Sequence, residues 1–203
     1  MSVEWGIVKI GDVCSVIAGQ SPKGSFYNDK GDGLPFYQGK KLFGERYLKT
    51  PTTWTSHVTK EAEAGDILMS VRAPVGPINF STEKICIGRG LAAIRASESI
   101  DRNYLFYILL FKQKEISGNE GAVFASINKK QIEGIDVPLP HLPEQKRIVT
   151  ILDEAFAGID TAITDTQQKL NSLNELKQSL LQKAFSGELT AEGDKHMDEA
   201  AHE

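Results

Sequence analysis

The chain has 203 residues, 40% hydrophobic and 25% charged, with a formal net charge of −4, the profile of a foldable soluble protein and not of a disordered one. No apolar run approaches the roughly 18 residues a membrane helix needs, and residues 1–5 show no basic region leading into an apolar core, so a cytoplasmic protein with no membrane partner is expected. Cys14 and Cys86 are isolated, which excludes a cysteine-built zinc site and fits a reducing compartment.

The charge is unevenly divided. Residues 1–140 carry 17 Lys/Arg against 15 Asp/Glu, whereas residues 141–203 carry 6 against 12. Acidity therefore belongs to the C-terminal third. Within the first part, Lys40, Lys41, Arg46, Lys49 and Lys60 face only Glu45 between residues 33 and 60, a local basic surface compatible with phosphate contact or with plain solvation.

In chain order, Val8 to Ala18 reads as short strands ending at Gly19-Gln20-Ser21-Pro22. A loop dense in turn formers follows, from Lys23 to Gly33, and leads into the aromatic, then basic segment Leu34 to Lys41. Ile67 to Arg72 reads as a buried strand turned back by Ala73-Pro74-Val75-Gly76. Ile85–Ile87 and Leu91–Ile94 are further strands around the bend Gly88-Arg89-Gly90. Asp101 caps a helix with apolar residues Tyr104, Leu105, Ile108, Leu109 and Phe111 at helical spacing, broken at Gly118–Gly121. Ser126 caps a second, short helix containing Ile127 and Ile132 and ending at Gly134. The expected fold class is α+β: a β-rich globular domain over residues 1–142, then a long helix over 143–187, then a polar, disordered tail over 188–203.

The long helix has proper boundaries. Pro143 suits a first helical position, Glu144 lies in the first turn, and Gly187 stands just past the end. At 1.5 Å per residue such a helix is about 65 Å long, too long to lie on its own head. Val149, Phe156, Ile163, Leu170, Lys177 and Ala184 share heptad position a, and Leu152, Ile159, Thr166, Leu173 and Leu180 share position d. Nine of these eleven are apolar, so the pattern is a seam, with Thr166 and Lys177 as polar exceptions able to set register. Through about Phe156 the helix is expected to pack on its own head. Beyond that, burial of Ile163, Leu170, Leu173 and Leu180 needs a second chain, and the expected helix interface is Phe156, Ile159, Ile163, Thr166, Leu170, Leu173, Lys177 and Leu180.

Catalytic signatures are missing. The sequence has no GxxxxGK[ST], HExxH or paired CxxC, and Ser126-Ile127-Asn128-Lys129 matches SxxK without its companion motifs. His57 in a Thr/Ser-rich stretch reads as a polar surface residue. Asp12, Glu61 and Asp66 form no recognisable metal cluster. The expectation is no catalytic residue and no metal.

Taken together, these segments resemble the specificity subunit of type I restriction-modification systems. The resemblance rests on Trp5 with Ile10–Cys14, Gly19–Pro22, Gly33–Phe36, Gly65–Leu68, Val71–Gly76, Gly88–Gly90, Ser126–Lys129, Pro138–Pro140 with Glu144-Gln145 and Ile148-Val149, and Ala184–Leu189. It implies a non-catalytic DNA-binding subunit built as a target recognition domain and a long helix. Full-length members resemble two such units in tandem, with antiparallel helices holding two recognition domains on a split site. One unit alone implies a homodimer. The resemblance further implies an adenine methyltransferase subunit and a restriction-translocase subunit as partners, with S-adenosylmethionine and ATP on those partners and no cofactor on this chain. The outer rod faces and Ala184–Leu189 are the expected methyltransferase docking surface.

Base readout needs forked polar side chains, with cations on phosphates. Candidate DNA contacts are therefore Tyr37, Gln38, Lys40, Lys41, Arg72, Arg89, Asn128 and Lys129. Gln38 suits bidentate pairing with adenine, or faces solvent. Arg72 and Arg89 present guanidiniums near backbone, or make structural ion pairs. Asn128 and Lys129 open a helix whose N–H groups suit a phosphate. A coiled-coil scaffold with no DNA role is the alternative that the rod alone would satisfy.

Overall fold

The computed structural model describes residues 5–118 and 126–189 and is an α+β protein ending in a long helix. Expectations falling on residues 1–4, on 119–125 and on the 190–203 part of the tail lie outside the described residues. The chain divides into two compact units, the first ending at Thr150 and the second beginning at Ile151.

Unit 1 starts with β1 (Ile7–Lys9), the helical turn α1 (Ile10–Val13) and β2 (Cys14–Ala18). The helical turn stands between two short strands in a segment expected to hold short strands alone. Asp12 accepts the Lys9 N–H at 3.1 Å, and Ile10 and Val13, three residues apart, are both buried. There follow β3 (Tyr27–Asn28), β4 (Leu34–Tyr37), a 3-10 turn at Lys40–Leu42, β5 (Trp54–Thr55), β6 (Glu61–Ala62), β7 (Ile67–Ser70), β8 (Ile78–Phe80), β9 (Ile85–Ile87) and β10 (Leu91–Ala96). Next come α2 (Arg102–Phe111), α3 (Gln113–Ser117), α4 (Lys129–Glu133), β11 (Asp136–Pro138) and α5 (Leu142–Ser186).

These strands form two main sheets. One runs β2-β10-β7-β8, all antiparallel; the other runs β3-β5-β4-β9-β6, with β4 and β9 parallel. A third pairing, β1 with β11, ties the start of the chain to the residues just before α5. The main core lies between the two sheets. Leu68, Leu91 and Ala93 come from one, and Tyr37, Ala62, Ile85 and Ile87 from the other. Strand alternation puts Ile67, Met69, Ala92 and Ile94 on the opposite face of the first sheet, and all four are buried. Helix α2 is packed against β8 there, with Phe106 stacked on Phe80 at 4.6 Å. Cover on both faces explains why β7 and β10 read as continuous apolar runs and not as alternating ones.

The caps refine the sequence reading. Asp101 opens α2 as expected, accepting the Asn103 and Tyr104 N–H groups at 2.9 and 3.0 Å. The cap of α4, however, is Asn128 and not Ser126. Asn128 Oδ1 accepts the Gln131 N–H while Gln131 Oε1 accepts the Asn128 N–H, a reciprocal capping box. Ser126 instead bridges to Arg72.

Helix α5 has 45 residues, about 68 Å, and Gly187 follows it at φ +82°. Its first turns are anchored in unit 1 by Gln145, which is fully buried. Gln145 Oε1 accepts the Asp101 N–H at 2.7 Å, and Nε2 donates to the carbonyls of Ser99 at 3.1 Å and Pro140 at 2.8 Å. One side chain thereby joins the α2 cap to the root of α5. Replacing Gln145 by alanine removes three hydrogen bonds and strands a backbone donor, so a loss of about 2–4 kcal/mol is expected. Urea unfolding of the full chain measures it; a loss under ~1 kcal/mol would show that the anchor is dispensable. Burial along α5 ends at Val149, and Phe156 is 39% exposed.

Candidate nucleic-acid interface

Three of the candidate residues meet. Gln38 directly follows β4, Arg72 lies just past β7, and Arg89 occupies the turn between β9 and β10. The parallel register sets Tyr37 beside Ile87, so the next residues on both strands emerge together. Gly88 then donates its N–H to the Tyr37 carbonyl at 2.8 Å, and Gly90 donates to the Gln38 carbonyl at 3.1 Å. From the other sheet, Val71 donates to the Gly90 carbonyl at 3.0 Å, which brings Arg72 alongside.

The glycines in this turn are required by proximity. A Cβ on Gly88 would lie 2.9 Å from Gln38 Cα, and one on Gly90 would lie 2.5 Å from the Gln38 carbonyl oxygen. Backbone of three strands therefore fixes where Gln38, Arg72 and Arg89 start.

Their side chains line a cleft of about 420 Å³ with Gly90. All three are exposed, and among the described residues no carboxylate lines the cleft and neither guanidinium has an ion pair. The structural ion-pair alternative for Arg72 and Arg89 finds no partner among the described residues. Arg95, by contrast, makes a two-point bond to the buried Asp66 at 2.8 Å. A second cavity of about 290 Å³ shares Gln38 and is lined also by Lys41, Tyr27, Thr52 and Thr53. Lys40 is exposed at the start of the same 3-10 turn.

Tyr37 is not a surface group, which corrects its place among the DNA contacts. It is 3% exposed, belongs to the core between the sheets, and donates its hydroxyl to the Lys49 carbonyl at 2.9 Å. Burial, with the Glu83 charge adding to it, pushes that hydroxyl up to about 12. Arg46 also leaves the basic surface: it lies over Phe80, Phe106 and Tyr107 and bonds the Asn103 amide at 3.2 Å. Asn128 and Lys129 follow the Arg72–Ser126 bridge by two and three residues and are exposed. The Asn128 side chain is spent on its capping box, and Lys129 pairs with Glu133 at 3.5 Å.

Ser21 was missed as a site residue. Its hydroxyl accepts the Arg89 N–H at 3.2 Å and donates to Gln38 Oε1 at 3.0 Å. The only sequence signal was its place in the Gly19–Pro22 turn.

In unit 2, α5 exposes its seam. Phe156, Ile159, Ile163, Leu170, Leu173 and Leu180 are between 39 and 62% exposed, Lys177 is exposed, and the Thr166 hydroxyl donates to the Ala162 carbonyl at 2.7 Å. His57 stacks on Phe26 at 4.8 Å. Among the described residues no cluster of three or more His, Cys, Asp or Glu could hold a metal, and no helix is long and apolar enough to cross a membrane.

A family model described as the type I restriction modification DNA specificity domain matches residues 2–175. A chain of Methanocaldococcus jannaschii described as the type I restriction enzyme MjaX specificity subunit is 38% identical over 190 residues, 92% of this chain and 44% of that one. The crystal structure of the HsdS subunit from Thermoanaerobacter tengcongensis is similar at a TM-score of 0.72 and 43% identity, over 79% of this chain and 39% of that one. A chain solved in work on complex assembly and conformational transition of the type I R-M system reaches a TM-score of 0.85 at 42% identity, over 91% of this chain and 46% of that one. The chain thus spans less than half the length of these relatives. With the match running through both the sheets and most of α5, the chain belongs to the type I restriction-modification DNA specificity family.

Proposed function

We propose that this chain reads one half of a bipartite double-stranded DNA site and that two copies pair through antiparallel α5 helices to read both halves. The observation that carries the reading is the cleft where Gln38, Arg72 and Arg89 meet with no carboxylate among them. Such a group of forked donors on a rigid backbone suits base edges, while Lys40 and Lys41 beside it suit phosphates. The chain itself is non-catalytic and cofactor-free in this reading, and it works in the cytoplasm. It docks a methyltransferase subunit that uses S-adenosylmethionine and a restriction-translocase subunit that uses ATP, with α5 and its Ala184–Leu189 end as the docking surface.

The exposed seam alone would serve a scaffold equally well, so the cleft is what favours DNA. The test is selection from randomised duplexes by the full chain co-purified with an adenine methyltransferase subunit. Two identical inverted half-sites at a fixed spacing are expected, because identical heads related by a two-fold axis read a palindrome. A co-purifying pair that enriches no sequence would support the scaffold instead.

A further inference from the structure

The Ser21 contacts define the chemistry of the cleft more narrowly than its residue types do. The Arg89 N–H can only donate, so Ser21 Oγ is its acceptor at 3.2 Å. Separately, the hydroxyl donates its hydrogen to Gln38 Oε1 at 3.0 Å. Ser21 thus meets the oxygen end of the Gln38 amide and leaves the Nε2 amino group for the cleft. Nε2 makes no hydrogen bond among the described residues, and the other polar side chains lining the space are the two guanidiniums. Each of these groups donates and none accepts.

An edge that offers only acceptors fits such a cleft. In the major groove guanine presents O6 and N7, both acceptors, whereas adenine pairs its N7 acceptor with an N6 donor. Adenine's amino group would meet a donor here. Bidentate adenine pairing by Gln38, left open by the sequence, needs Oε1 as well as Nε2 facing the base, and Oε1 is turned to Ser21.

We propose that the cleft of Gln38, Arg72 and Arg89 reads guanine in each half-site and that Ser21 is a positioning residue setting the polarity of the Gln38 amide. This rests on the DNA-reading function proposed above. A phosphate is also acceptor-only, but the neutral amide in the cleft and the exposed lysines outside it favour the base.

The test starts from the duplex that the full chain selects and replaces each guanine singly by 7-deazaguanine, which lacks the N7 acceptor. At least one guanine per half-site is expected to lose about tenfold in affinity on this change. Ser21→Ala should lower the preference for guanine over adenine at that position about fivefold or more, with the salt dependence of binding unchanged. Ser21→Thr, which keeps the hydroxyl, should retain the preference and controls for folding. Selected sites lacking guanine, or a 7-deaza effect under twofold at every guanine, overturn the inference while DNA reading stands. So does a Ser21→Ala preference equal to that of the parent chain. An Arg72→Ala or Arg89→Ala loss that is equal on all sequences and reduces the salt slope assigns the cleft to phosphate and also overturns it. Failure to enrich any duplex removes the DNA reading itself.

Discussion

Replacing Arg72 and Arg89 together by alanine is expected to weaken binding to the selected site by 10²- to 10³-fold while leaving binding to random duplex within about threefold. A good two-point contact to a base is worth roughly 1–3 kcal/mol of discrimination, and two such contacts multiply. The fold should not suffer. Both side chains are exposed, and neither guanidinium is paired among the described residues, so their removal strands no buried charge. The thermal midpoint is therefore expected to stay within about a degree.

Lys40→Glu with Lys41→Glu is the contrasting pair. It should weaken specific and random DNA alike and flatten the salt dependence, by about 0.9 in log–log slope for each phosphate no longer neutralised. Tyr37→Phe separates core from interface: it should leave DNA affinity unchanged and cost about 1 kcal/mol of stability, because the hydroxyl bond to the Lys49 carbonyl is removed. Fluorescence anisotropy on specific and random duplexes across a salt series reads all three variants. An Arg72/Arg89 loss equal on both duplexes would refute base readout by this cleft.

What could be read in advance divides along physical lines. Features decided within a few residues were legible: the Asp101 cap, the buried strand at Ile67, the Gly88–Gly90 bend and the two ends of α5. The α1 turn was not, because four residues are too few to show a helical period. The cap at Asn128 was readable from Gln131 three residues on, a capping-box spacing that the nearby Ser126 obscured.

The site was half legible for a different reason. Residue type nominated Gln38, Arg72 and Arg89, but only the β4–β9 register and the Val71–Gly90 bond bring them to one place. Type was no guide to Tyr37 and Arg46, since an aromatic ring or a guanidinium serves a core as readily as an interface; burial decided against Tyr37, and contacts with aromatic rings decided against Arg46. Ser21 lies 17 residues from its partner Gln38 and 68 from Arg89, separations over which sequence carries no polarity information.

Leu170→Asp combined with Leu173→Asp is expected to turn the proposed dimer into a monomer, with at least a hundredfold loss in self-association. The seam is self-complementary when read backwards. A two-fold axis through residue 168 sets Phe156 opposite Leu180, Ile159 opposite Lys177, Ile163 opposite Leu173 and Thr166 opposite Leu170. Each layer then pairs an a position with a d position, the arrangement an antiparallel helix pair needs, and each occurs twice. Apart from Thr166, which already bonds its own helix through its hydroxyl, Lys177 is the one polar member, and it faces Ile159. Carboxylates at 170 and 173 would enter four central layers at once, without partners, at a cost of several kcal/mol. Lys177→Leu should act in reverse and tighten the dimer about tenfold by removing two polar mismatches. Sedimentation equilibrium on the full chain from about 1 to 100 µM measures both shifts, and far-UV circular dichroism adds a second reading. A helix without its partner face is marginal in water, so the Asp variant should lose part of its helical signal on dilution. A parent chain that sediments as a monomer throughout would rule out pairing through this face, and an unchanged Lys177→Leu dimer would rule out this register.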